Sequence, residues 1–166
     1  DDPSLDDEET AVMNETRATC IRKLREQFGI NFVGGFPPRK EAVELYSDCL
    51  LDNSVTNRKN FVRLIKESDI CISTIGLHKS NGWKLGEYVA ASKAIVGEQL
   101  FYDVPNFNKD VHYLEFKTPD ECVEQVTKLV EDKDKIMEMK RNNNIFYNTF
   151  LRPDKLVLNS LMEVVN

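Results

Sequence analysis

What this chain does not contain removes several classes of function. No apolar run approaches the roughly 20 residues that a membrane-spanning helix needs, and the acidic start DDPSLDDEE is the opposite of a signal peptide. Positive charge is in deficit: 22 Lys and Arg stand against 28 Asp and Glu, a net charge of -6, which argues against nucleic acid as a partner because phosphate-backbone binders carry a basic face. Cys20, Cys49, Cys71 and Cys122 are widely spaced and form no CxxC pair. Cys71 lies in a strand-like run, and Cys20 and Cys122 fall on apolar helix faces, so buried reduced thiols and a cytoplasmic location are expected. No G-x-S-x-G elbow is present, and Cys71 sits too deep in an apolar run to serve as a catalytic thiol, which speaks against covalent catalysis. A metal site is not expected either. His78 and His112 lie far apart without ligands at zinc spacing, and Asp132-Lys133-Asp134 reads as a solvated helix end in a run of alternating charge.

What is present suffices for one core. With 41% hydrophobic residues in 166, the chain is expected to form a single domain over residues 1–166, and its abrupt acidic start reads as a cut end of a longer protein. From Glu8 to Phe28, Met13, Cys20, Ile21, Leu24 and Phe28 share a helical face, and Gly29 is placed to stop the helix. INFVGGF (Ile30 to Phe36) reads as a short buried strand ending at Pro37-Pro38, and Arg39 to Thr56 as a long connection with a helical turn near Ala42. Asn57 to Ser68 is predicted helical with an Asn cap, although Arg58 and Lys59 sit where the helix dipole disfavours cations; solvation or a nearby anion accounts for them.

Asp69 to Ile75 is the predicted central strand, Trp83 to Ser92 a helix burying Leu85, Tyr88 and Val89, and Ala94 to Glu98 the next strand. Gly86, Ala90 and Ala91 give that helix a small-residue face suited to close approach. Val111 to Phe116 is predicted as a strand at or near the sheet edge. Thr118-Pro119-Asp120-Glu121 is then a capping box whose helix turns Cys122, Val126, Leu129 and Val130 inward. The tail is helical in pattern, broken or bent at Asn142 to Asn144 and at Pro153, with Val157, Leu161 and Val164 as a last apolar stripe. Strands alternating with helices predict an α/β fold: a Rossmann-like parallel sheet with helices on both faces.

Candidate site residues cluster around the central strand and its helix. Glu87 lies early on the helix after that strand, where a carboxylate reaches a ligand held above the strand ends and can accept two hydrogen bonds from a ribose diol; stabilisation by the helix dipole is the structural alternative. His78, Lys79, Ser80, Asn81 and Gly82 form the loop before it. Glycine lets backbone approach a phosphate, Lys79 or Lys84 adds charge, and Ser80 or Asn81 donates to a ligand or caps the helix. The loop is neither a Walker A nor a G-x-G-x-x-G fingerprint.

GLHKSNGWKLGEYVAASKAIVGE resembles the donor-binding segment of GT-B glycosyltransferases, especially the family 4, glycosyltransferase group 1-like set, whose usual form is E-G-F-G-L-x-x-x-E-A-x-A-x-G-x-P-V-V. Gly82, Trp83 and Leu85 fall near its Gly-aromatic-Gly-Leu part, Glu87 on its second Glu, and Ala90 and Ile95-Val96 on its later small and apolar positions. Phe32-Val33-Gly34-Gly35-Phe36 is similar to the strand and glycine turn beside the nucleotide base, Ser68-Asp69-Ile70 to the A-D-V that opens the central strand, and LRPDKLVLNSL to the tail of related bacterial proteins. The resemblance covers roughly Gly29 to Glu131. Two positions depart from it: the family's first Glu falls on Lys79, and the glycine after the aromatic is Lys84.

The resemblance implies the C-terminal, nucleotide-sugar-binding half of a metal-independent enzyme of polysaccharide biosynthesis, with a nucleotide-diphosphate sugar as donor substrate and no cofactor. Glu87 would hold the ribose, Ser80, Asn81, Gly82, Trp83 and Lys84 the diphosphate with the helix start, and Gly34, Gly35 and Phe36 the base, with His78 and Lys79 near the sugar or phosphate. The acceptor site would lie in a missing N-terminal domain, with an acceptor at the cytoplasmic face of the membrane. Two other readings are a non-catalytic nucleotide-binding module, in which Lys79 marks lost sugar chemistry, and a response-regulator-like interaction domain, which lacks the acidic cluster expected at its first strand.

Overall fold

In the computed structural model, residues 3–165 are described, with side chains over 7–162. The helices are α1 (Pro3–Phe28), α2 (Lys40–Leu45), α3 (Asn53–Thr56), α4 (Arg58–Glu67), α5 (Trp83–Ala90), α6 (Pro119–Glu131), α7 (Lys133–Phe146) and α8 (Pro153–Val165). The strands are β1 (Ile70–Ser73), β2 (Ala94–Glu98) and β3 (Leu114–Phe116), which form one sheet in the order β1-β2-β3 with both pairings parallel. Ile70 faces Ala94 and Ser73 faces Gly97 across the first pair, while Val96 faces Leu114 across the second. The architecture is therefore mixed α/β, a small parallel sheet flanked by helices, as the alternating pattern predicts. β3 takes one edge, as expected, but β1, predicted as the central strand, takes the other: among the described residues it pairs with β2 alone, and β2 lies in the centre.

Alternation along the strands divides the core between two faces. Ala94, Val96, Leu114 and Phe116 pack with Cys20 and Leu24 of α1 and with Cys122, Val126 and Leu129 of α6. Cys71, Ile95 and Tyr113 point the other way, to Ile65 of α4, Leu85, Tyr88 and Val89 of α5, and Phe146 of α7. In β2, Ala94, Ile95 and Val96 are wholly buried, and full burial of an Ile or Val side chain stabilises by roughly 1.5–3 kcal/mol each. All four cysteines are buried free thiols.

Several local expectations hold and several need correction. Asn57 caps α4, its side chain accepting from the Asn60 N–H. Thr118 caps α6 by accepting from the Glu121 N–H at 3.2 Å; the Glu121 carboxylate accepts from the Lys117 N–H at 2.7 Å, one residue before the cap. INFVGGF is not a sheet strand. Gly29–Asn31 forms a 3-10 turn, Ile30 is 98% exposed, and Phe36 makes only a single parallel bridge, to Leu50. The run lacks cover on two sides: Phe32 packs on the core while Ile30 and Val33 face solvent.

The long connection of Arg39 to Thr56 contains α2, a 3-10 turn at Ser47–Cys49, and α3. The third strand begins at Leu114, not Val111, and Val130 is exposed rather than inward. Gly86 is not a close-approach position, since the nearest outside atom to a Cβ there is a Leu151 methyl at 4.0 Å. Asn142 to Asn144 do not break the tail either. α7 runs through them to Phe146, and a π-helical turn at Tyr147–Leu151 followed by Pro153 makes the break. Asn143 is wholly buried and donates from Nδ2 to the carbonyls of Lys93 (2.7 Å) and His112 (2.8 Å), tying α7 to the residues ahead of β2 and β3. Val157 and Leu161 on α8 are exposed; the Val164 side chain lies outside the described residues.

Candidate functional site

Because every strand runs the same way, the segments leaving β1 and β2 emerge at one edge of the sheet, the place where open parallel sheets hold ligands. Helix α1 reaches this edge through Arg17, whose Nε donates to Thr74 Oγ1 (3.0 Å) and whose Nη2 donates to the Ile75 carbonyl (2.7 Å). The Ile75 N–H in turn donates to Glu98 Oε2 at the end of β2 (3.0 Å). Burial holds the Arg17 pKa down, opposed by Glu98; burial holds the Glu98 pKa up, opposed by the Ile75 N–H and by Arg17.

The loop from Gly76 to Gly82 folds back on itself. His78 and Lys79 both adopt positive φ, 54° and 55°, a region costly for residues carrying a Cβ. Gly76 N–H donates to the Ser80 carbonyl at 2.8 Å. Asn81 Nδ2 donates to the Tyr102 carbonyl (2.9 Å), the Tyr102 hydroxyl donates to the His78 carbonyl (3.3 Å), and Lys79 Nζ lies 4.7 Å from the Phe101 ring centre. His78 Nδ1 stands 3.4 Å from Glu9 Oε2. The loop leaving β1 is thus stitched to the loop leaving β2. Asn81 Oδ1 is buried without a hydrogen-bond partner.

Neither Ser80 nor Asn81 caps α5. Its N-cap is Gly82, which makes no side-chain cap bond and whose missing Cβ would stand 3.1 Å from the Thr74 carbonyl. The first N–H groups of α5 are therefore left without a side-chain acceptor. Lys84 lies in this first turn with its ammonium 5.7 Å from the Phe61 ring centre; desolvation lowers its pKa first, repulsion from Arg17 adds to this, and Glu87 opposes.

Glu87 follows Trp83 by one helical turn, so the two side chains share a face. Glu87 Oε1 pairs with Arg58 Nη1 at the start of α4, and the same guanidinium lies 5.8 Å from the Trp83 ring centre. Glu87 Oε2 is buried and has no hydrogen-bond partner. A buried carboxylate oxygen without a donor is costly, so this geometry suits a ligand that brings one.

The residues expected around the base do not join this group. Gly34 O accepts from Arg25 (2.9 Å), a Cβ on Gly35 would stand 2.4 Å from the Cys49 carbonyl, and the Phe36 ring stacks on Tyr46 at 5.1 Å. Their glycines and aromatic ring serve the packing of this segment against α1 and Cys49–Leu51. His78 to Lys84 and Glu87 are brought together at the sheet edge.

Arg17, Arg58 and Glu98 belong to the edge without being singled out as site residues by the motif. Arg17 carried a signal: it shares the helical stripe of Cys20 and Leu24, where a cation needs a partner. Arg58 carried another, its unfavourable place at a helix N-terminus, and the anion beside it is Glu87. Among the described residues, no group of three or more His, Cys, Asp or Glu is arranged to hold a metal ion, and no helix is long and apolar enough to cross a membrane.

Comparison with protein-family models, curated proteins and solved structures finds no match.

Proposed function

We propose that this chain binds the nucleotide-diphosphate sugar of a glycosyltransferase, as the Rossmann-like C-terminal half of a metal-independent GT-B enzyme of the family 4, group 1-like set. The reading joins the sequence resemblance to one structural observation that carries it: Glu87 holds a buried carboxylate oxygen without a donor, above the end of a parallel strand, on the helix where a ribose would be met. Two further features support it. The start of α5 lacks a side-chain cap, and Lys84 and Arg17 bring positive charge there in a chain of net charge -6.

On this reading the chemistry is electrostatic. The leaving diphosphate gains negative charge as the sugar departs, and the N–H groups of α5 with Lys84 and Arg17 meet that charge without reorganising. Arg17 is fixed by Thr74 and Ile75, so its position is set before any ligand arrives. The acceptor would come from a domain outside this sequence, and the chain alone is expected to bind nucleotide without transferring sugar.

Calorimetric titration with nucleoside diphosphates tests this. Binding is expected at millimolar concentration or below, weakened about tenfold or more by Glu87→Gln, as loss of a hydrogen bond to a charged group implies. Absence of binding by any nucleoside diphosphate at millimolar concentration would sink the proposal.

A second reading, a nucleotide-binding module without transfer chemistry, is favoured by Lys79, which stands where the family carries a glutamate and lies over Phe101. Sugar transfer by the chain joined to its acceptor domain would exclude that module reading.

A further inference from the structure

We propose that Trp83 is the platform on which the nucleobase stacks, and that in the free chain Arg58 occupies the place the nucleoside takes. This rests on the nucleotide reading above, and it moves the base away from Gly34, Gly35 and Phe36.

Four observations converge. The Trp83 indole is 69% exposed on a helix whose Leu85, Tyr88 and Val89 are buried, so a large flat apolar surface stands open at the ligand edge. Trp83 and Glu87 are one turn apart on one face, which sets an aromatic ring beside a carboxylate at the separation of neighbouring helical side chains, about 5–6 Å between Cβ atoms. A base and the hydroxyls of its ribose are spaced on the same scale.

The third observation is the guanidinium of Arg58, a flat polar group that already lies over the indole and pairs with Glu87 Oε1. It contacts the two groups that a nucleoside would contact, the ring with its flat face and the carboxylate with its donors. Glu87 Oε2 remains buried and without a partner beneath this arrangement. The fourth concerns the alternative platform: Phe36 is stacked on Tyr46 and its backbone is paired with Cys49 and Leu51. Its ring is committed to packing.

When a nucleoside diphosphate binds, the base takes the place of the guanidinium over the indole, and the ribose hydroxyls donate to the two oxygens of Glu87. Arg58 is displaced from Glu87 but remains at a rim to which the ligand brings negative charge. An unphosphorylated nucleoside displaces the same ion pair and brings no charge in exchange. Arg58 therefore selects for the phosphorylated ligand.

The test is calorimetry on the whole chain with uridine, adenosine and guanosine 5′-diphosphates, the matching nucleosides, and inorganic pyrophosphate. For the base that binds best, Trp83→Ala is expected to weaken the nucleoside diphosphate roughly tenfold, as loss of one base–aromatic stack implies. It should leave pyrophosphate unchanged, and Trp83→Phe should keep most of the affinity. Arg58→Gln should tighten the unphosphorylated nucleoside severalfold without tightening the diphosphate. Nucleotide binding that depends on Glu87 but is untouched by Trp83→Ala overturns this inference and leaves the functional reading standing. Equal weakening of diphosphate and pyrophosphate by Trp83→Ala overturns stacking, and equal weakening of nucleoside and diphosphate by Arg58→Gln overturns displacement. If no nucleotide binds the unaltered chain, both proposals fall.

Discussion

His112 is buried between aromatic rings, with centroids 5.0 Å from Phe107 and 5.2 Å from Phe146. Burial lowers its pKa and outweighs the hydrogen bond with the Asn108 N–H, which Nδ1 accepts at 2.8 Å. The folded chain thus binds this proton less readily than the unfolded chain. The stability involved is complete above the ordinary histidine pKa of about 6.5 and is lost as pH falls below it. Between about pH 7.5 and about pH 5.5 the melting temperature should fall more steeply for the unaltered chain than for His112→Gln; parallel slopes would contradict this. At this scale the sequence is only partly legible. The place of Glu87 on the helix after β1 was readable because that helix follows directly from the apolar run before it. Asn143 was not, because a polar run in a helix reads as a break until its carbonyl partners, 50 and 31 residues away, are in place.

Among the elements, α6 had the clearest start in sequence, and that start is as expected, although Val130 near its end faces solvent. Thr118 accepts from the Glu121 N–H and Pro119 opens the helix. Thr118→Ala removes that acceptor and should cost about 1 kcal/mol, a fall of about 2–4 °C in melting temperature for a chain of this size. An unchanged melting temperature would show that another group satisfies the amide. The contrast is INFVGGF, which has strand-forming residues but no second cover, so its apolar content does not make it a strand. Pattern reports what a residue tolerates; cover comes from elements distant in the chain. The Arg58–Glu87 pair was hidden for the same reason, since it depends on α4 lying beside α5.

For the molecule as a whole, alternating strands and helices already implied parallel pairing, because a short apolar run, a helix and another apolar run leave a crossover as the simplest connection. What they did not fix was the size of the sheet. Among the described residues, the three strands leave β2 as the single member paired along both sides, and its Ala94, Ile95 and Val96 are sealed from solvent. The hydrogen-bonded amides of such a strand exchange with solvent deuterium only when the whole sheet opens, so they report global unfolding. A ligand that binds only the folded chain lowers the population of that open state by the factor 1 + [L]/Kd. Nucleotide at the sheet edge should therefore slow exchange in β2 by this same factor, without touching its amides. Measured by mass spectrometry, β2 becomes a gauge of occupancy that needs neither transfer activity nor a signal from Trp83, and exchange that stays unchanged under a saturating nucleotide would break the link.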